Sequence, residues 1–128
     1  LKAHFKESIT VTKLPLIDDL WILERPLHYY SKLTNVEYEV PVGFVTDFAT
    51  VPRWAVIYLL TANTGHRAAL LHDYLYRLKL VKRRCADAIF FEALVVDGEP
   101  LWRCYLMWAG VRLGGWVAWN RKKHSSLL

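Results

Sequence analysis

Two cysteines in 128 residues leave no disulfide framework. Cys85 and Cys104 each stand among apolar neighbours in a helical pattern and read as buried free thiols, and neither has a second Cys or His at zinc-ligand spacing. Glycine is scarce at six residues, with no glycine-rich phosphate loop, and no serine occupies a nucleophile-elbow context. Long apolar runs are absent too. Trp102 to Trp119 is interrupted by Arg103, Arg112 and Gly114-Gly115, which argues against a membrane span. Lys2, His4, Lys6 and Glu7 break up the start of the chain, so no secretory signal peptide is expected.

Aromatic residues, by contrast, are in excess. With six Trp and seven Tyr, a core of this size cannot hide every ring, and some of them are expected to form a partner surface. Charge is unevenly spread. Residues 1–64 hold six Lys/Arg against seven Asp/Glu, net −1, whereas residues 65–128 hold eleven against five, net +6. The basic clusters Lys82-Arg83-Arg84 and Arg121-Lys122-Lys123 are short, and no nucleic-acid motif accompanies them, which argues against nucleic acid as the partner.

The first half reads as β. Strand-like patterns occupy residues 4–12, Leu20–Glu24, Leu27–Ser31 and Val36–Val40, the last with Val36, Tyr38 and Val40 on one face and Glu37 and Glu39 on the other. Asn35 suits the turn between the last two, and Pro41 to Pro52 reads as a structured loop. The second half reads as α. Thr64 or Thr61 is placed to cap a helix from His66 to about Leu80. A second helix follows Lys82-Arg83-Arg84 and stops at Gly98, and a third runs from Leu101 to about Leu113, closed by Gly114-Gly115. The expected fold is α+β: one domain with a small N-terminal antiparallel sheet (residues 1–60, mainly β and loop), about three helices (61–113) and a basic tail (114–128).

Charged groups seldom sit inside apolar stripes unless they are paired, metal-bound or used chemically. His72 and Asp73 follow Ala68-Ala69-Leu70-Leu71, and Asp87 precedes Phe90, Phe91 and Leu94. On a helix His72 and Tyr76 share a face, while Asp73 is turned about 100° away. If the two helices pack antiparallel, the Asp87 carboxylate reaches a ring nitrogen of His72 and leaves the other free to act on a water or a substrate proton. The same geometry also serves as a buried clasp between helices. Asp47, between two phenylalanines, either locks its loop through backbone N–H groups or faces the His72 groove. With loop carbonyls between Gly43 and Thr50, Asp47 and Asp73 are candidates to hold a hard cation such as calcium. No other cofactor is expected.

Three blocks carry a resemblance: Gly43-Phe-Val-Thr-Asp-Phe-Ala-Thr-Val-Pro-Arg53, Arg67-Ala-Ala-Leu-Leu-His-Asp-Tyr-Leu-Tyr-Arg77 and Ala86-Asp-Ala-Ile-Phe-Phe-Glu-Ala93. In order and spacing they resemble a family of small uncharacterised proteins encoded mainly by tailed bacteriophages and prophages. That resemblance implies a virion component at the neck, tail or baseplate, with other phage structural proteins or a second copy of the chain as partners. A shorter resemblance, His72-Asp73-x-x-Tyr76 followed by Ala86-Asp87-x-x-Phe90, is to the helix pair of phospholipase A(2). It implies a hydrolase acting on lipid or envelope material, with His72 as general base, Asp87 orienting it, Tyr76 supporting the network and Asp73 on calcium. The glycine-rich calcium loop and the disulfides of the secreted enzymes are missing, with only Gly43 and Gly65 ahead of the helix core.

Overall fold

The computed structural model describes residues 1–13, 20–48, 50–62 and 65–120, and in it strands come first and helices follow, the expected α+β order. The described residues form strands β1 (His4–Phe5), β2 (Val11–Lys13), β3 (Trp21–Leu23), β4 (Leu27–Ser31), β5 (Val36–Val40) and β6 (Val45–Thr46). Helices α1 (Arg53–Ala62), α2 (His66–Leu78), α3 (Arg83–Val96) and α4 (Leu101–Trp119) complete the chain.

The strands make two antiparallel sheets rather than one, ordered β1-β4-β5 and β2-β3-β6. Residues 4–12, expected as a single strand, divide between them because the chain bends at Lys6 and Glu7. There Glu7 leaves the strand to accept the His28 main-chain N–H at 2.8 Å and to meet His28 Nδ1 at 2.5 Å. The β4–β5 hairpin turns at Asn35, which takes the left-handed conformation (φ 55°) that asparagine tolerates well. Leu27 and Tyr29 on β4 and Tyr38 and Val40 on β5 point into the core, whereas Val36, at the far end of the hairpin, is exposed.

The helical half corrects several expectations. A fourth helix, α1, occupies residues assigned to strand and loop. Pro52 begins it, its carbonyl accepting the N–H groups of both Ala55 and Val56. Thr61 lies inside α1, Thr64 is outside the described residues, and α2 instead starts from Gly65 in a left-handed conformation (φ 69°) with no side-chain cap. That helix ends at Leu78, two residues early, because Lys79 turns left-handed (φ 51°). Gly98 does stop α3, at φ 88°. The pair Gly114-Gly115 does not stop α4. Gly114 is not among the left-handed glycines, and a mid-helix glycine costs only about 1 kcal/mol. Against that cost stands Trp119, whose ring packs edge-on to Tyr76 (5.3 Å) and lies under Lys79 Nζ (4.6 Å).

Helix α2 is the centre of the molecule: Ala68 to Asp73, Leu75 and Tyr76 are all buried. It packs along α3 and touches α1, α4 and β6, while α3 also meets β1, β4 and α4. Arg67 ties three of these elements together. Its guanidinium lies over Phe5 (4.4 Å), donates to Glu7 O and pairs with Asp97. Gly110 lies where α4 approaches α1, and a Cβ there would stand 3.1 Å from Pro52 and 3.2 Å from Trp54, so those side chains would have to give by a few tenths of an ångström. Cys104 is buried as expected, but Cys85 is only half-buried, at the margin of α3.

The Glu7–His28 pair gives the sheet a pH signature. Burial presses the Glu7 carboxyl upward, but its hydrogen bonds with His28 outweigh this and the net shift is downward. The bond to Glu7 holds His28 above its ordinary 6.5. A raised histidine contributes stability that is complete below 6.5 and lost as pH rises through the folded value. Thermal melts from about pH 6 to about pH 9 should therefore show a small loss, under about 1 kcal/mol after solvent screening, that His28→Gln abolishes. An unchanged slope in the variant would contradict the assignment.

Candidate functional site

His72 and Tyr76 lie one turn apart on α2, and both face α3. His72 Nε2 is 2.7 Å from Asp87 Oδ1, and the Tyr76 hydroxyl donates to the same oxygen at 2.5 Å. The other Asp87 oxygen accepts from Arg112 Nη1 of α4 at 2.8 Å. His72 Nδ1 meets Thr50 Oγ1, from the loop before α1, at 3.0 Å. With Nε2–H donating to the carboxylate, Nδ1 is the acceptor and the threonine hydroxyl donates to it. The imidazole packs between Tyr76 (4.2 Å between ring centres) and Phe90 (4.8 Å). His72 and Asp87 have no solvent exposure and Thr50 has 5%.

Electrostatics follow from this saturation. Burial alone would raise the Asp87 carboxyl, but hydrogen bonds from His72, Tyr76 and Arg112 outweigh it, and the net shift is downward. Burial and the Asp87 charge push the Tyr76 phenol well above its ordinary range, which keeps it a donor. Arg83 braces α3 against α4 by donating to the carbonyls of Val111 and Arg112.

Asp73, one residue on, faces the opposite way, into β6. Its Oδ2 accepts the Thr46 hydroxyl and lies 3.2 Å from Arg77 Nε, while Oδ1 is buried without a hydrogen-bond partner. Arg77 also pairs with Asp47 at 2.8 Å. Burial raises the Asp73 carboxyl, against the lowering pull of Arg77. The expected pair of cation ligands is thus bridged by a guanidinium, which places positive charge where calcium would have to bind, so these residues do not fit that ion. Among the described residues no group of three or more His, Cys, Asp or Glu is arranged to hold a metal. Asp47 is turned to Arg77, and its side chain is 30% exposed.

Every candidate read from the sequence therefore falls into one of two back-to-back clusters. His72, Tyr76 and Asp87 form one, Asp73 and Asp47 the other. Sequence reading missed Thr46, Thr50, Arg77 and Arg112. Thr46 and Thr50 flank Asp47 in the loop block, and Arg77 stands four residues after Asp73, a spacing that itself signals an ion pair.

Residues 21–111 match the family model described as "Protein of unknown function (DUF1353)". The chain belongs to that family. The match begins with β3 and spans every residue of both clusters except Arg112, which lies one position beyond it. Strands β1 and β2 fall outside the match. Neither a curated protein nor a solved structure matches the chain. Among the described residues no helix is long and apolar enough to cross a membrane.

Proposed function

We propose that this DUF1353 protein is a structural or accessory component of a tailed-phage particle, at the neck, tail or baseplate, and that it works by contact with neighbouring proteins. The phage setting rests on the resemblance of the three sequence blocks. The contact role is carried by one observation: α4 leaves a double row of large apolar side chains in solvent. Leu101, Tyr105 and Trp108 follow i, i+4, i+7 spacing, and Trp102 and Leu106 run beside them, with Trp102 64% and Tyr105 60% exposed. A row of this kind is what a helix presents to a partner. The polar groups of the His72–Asp87 cluster, by contrast, are spent on one another, as in a clasp that fixes α2, α3 and α4. Mass spectrometry of purified particles should find the chain at fixed stoichiometry. Particles without it would refute the role.

A hydrolytic reading is favoured by a different observation, the alignment of Thr50 Oγ1, His72 and Asp87 as hydroxyl, imidazole and carboxylate. In that reading His72 Nδ1 takes a proton from the hydroxyl or from a water admitted beside it. The two readings divide on one variant. As a clasp, His72→Ala removes one of the three donors to the Asp87 carboxylate, leaves the Thr50 hydroxyl without its acceptor and opens a cavity in the core, at a cost of about 2–4 kcal/mol in denaturant titrations, with no ester or phospholipid turnover in the parent. As a base, the same change abolishes measurable parent turnover at little cost in stability.

A further inference from the structure

The outer face of α3 and α4 has a charge asymmetry to match its apolar row. Residues 81–120 contain four carboxylates, and each one is committed inward. Asp87 holds His72, Tyr76 and Arg112, and Glu92 accepts the Tyr29 hydroxyl and the Leu33 N–H. Asp97 pairs with Arg67, and Glu99 with Arg103. The exposed bases behave differently. Lys32, Lys82 and Arg84 carry no ion pair among the described residues. The same face carries a shallow pocket of about 230 Å³ lined by Leu33, Ala88, Phe91, Tyr105 and Trp108. Arg84 stands one helical turn from Ala88 on the same side of α3, and Lys32 is the neighbour of Leu33. Two of the lining rings, Phe91 and Tyr105, meet edge-on with their centres 4.8 Å apart.

Building on the contact role proposed above, we infer that this face takes an acidic amphipathic helix of a partner protein, with one large apolar side chain in the Leu33–Trp108 pocket and carboxylates on Lys32, Lys82 and Arg84. The concavity has room for one such anchor, ringed by aromatic side chains of the type that dominate binding hot spots. The unpaired bases supply the complementary charge and exclude basic partners. A second copy docked through the same face would meet these bases with its own, since the carboxylates of residues 81–120 are committed inward. An anionic bilayer is the poorer match, since lipid-binding patches cluster more bases than these three and need no pocket.

The test uses the full chain and two synthetic helical peptides with leucines at i, i+3, i+4 and i+7, one flanked by glutamates and its twin by lysines. In fluorescence anisotropy the glutamate peptide should bind at least about tenfold more tightly than the lysine twin. Ala88→Leu, which fills the pocket, and the pair Lys32→Glu with Arg84→Glu, which reverses exposed charges, should each weaken it about tenfold with an unchanged melting temperature. Equal binding of the twins, indifference to Ala88→Leu, tighter binding to phosphatidylserine vesicles, or a dimer of the chain that blocks the peptide would each overturn the inference. Particle incorporation separates it from the role it rests on. Undiminished incorporation of the charge-reversed chain overturns the inference and leaves the virion role standing. Absence of the parent chain from particles removes the virion role, and the peptide result still decides the inference.

Discussion

Asp87→Ala is expected to lower the unfolding free energy by about 3–5 kcal/mol, among the largest losses available to a single substitution in this chain. The Asp87 carboxylate is the point where three helices meet, receiving His72 and Tyr76 from α2 and Arg112 from α4. Removing it strands a fully buried imidazole and a fully buried phenol, neither of which can turn to water. Arg112→Leu should cost less, about 1–2 kcal/mol, because the buried Asp87 carboxylate keeps its hydrogen bonds from His72 and Tyr76. Asp87→Asn should fall between, because its amide oxygen still accepts while its NH2 faces Arg112. There is also a pH signature. The Asp87 carboxyl is shifted down from 3.8, so its stabilisation is present above 3.8 and lost as pH falls through the lower folded value. Denaturant titrations into acid should show that limb in the parent and a flatter one in Asp87→Asn. Equal acid limbs would mean that Asp87 is not the group holding the helices.

Much of this clasp is legible in the sequence, because helical periodicity alone puts His72 and Tyr76 on one face and turns Asp73 away from it. The antiparallel packing that the reading required is what α2 and α3 adopt, and so His72 reaches Asp87. Strands β4 and β5 were legible for a similar reason: their period-two pattern and the turn at Asn35 agree. What could not be read came from longer range. Helix α1 escaped because its residues are apolar almost throughout, so no stripe marks it, and only Pro52 signals its start. The loop from Thr46 to Thr50 also hides its shape. Phe48 holds a left-handed conformation (φ 58°) without a glycine to announce it, fixed by its N–H to Thr46 Oγ1. On either side of Phe48, Thr46 meets Asp73 and Thr50 meets His72. The end of α4 was misplaced for an energetic reason, since the packing of Trp119 outweighs the glycine penalty.

Arg77→Met is expected to cost a further 3–5 kcal/mol or so at neutral pH, by way of the second cluster. Arg77 is only 12% exposed and is the counter-charge of Asp73, which is wholly buried and has just one oxygen hydrogen-bonded. Burial already raises the Asp73 carboxyl, and Arg77 is the main force pulling it back. A carboxyl raised above its unfolded 3.8 binds its proton more tightly in the folded state, so it weakens the fold as pH rises through the folded value. Without Arg77 that value climbs further, and the penalty at neutral pH grows. The loss caused by Arg77→Met should therefore be larger at about pH 7 than at about pH 4, where Asp73 is protonated in the variant. Asp87 titrates in both proteins with the opposite sign and cancels from the difference. Adding Asp73→Asn should recover most of the loss, because it removes the charge that was stranded, and the double variant should show little pH dependence of the difference. A loss that is the same at both pH values, and that Asp73→Asn does not relieve, would assign Arg77 a packing role through its contact with Phe44 (6.0 Å to the ring centre) in place of the electrostatic one.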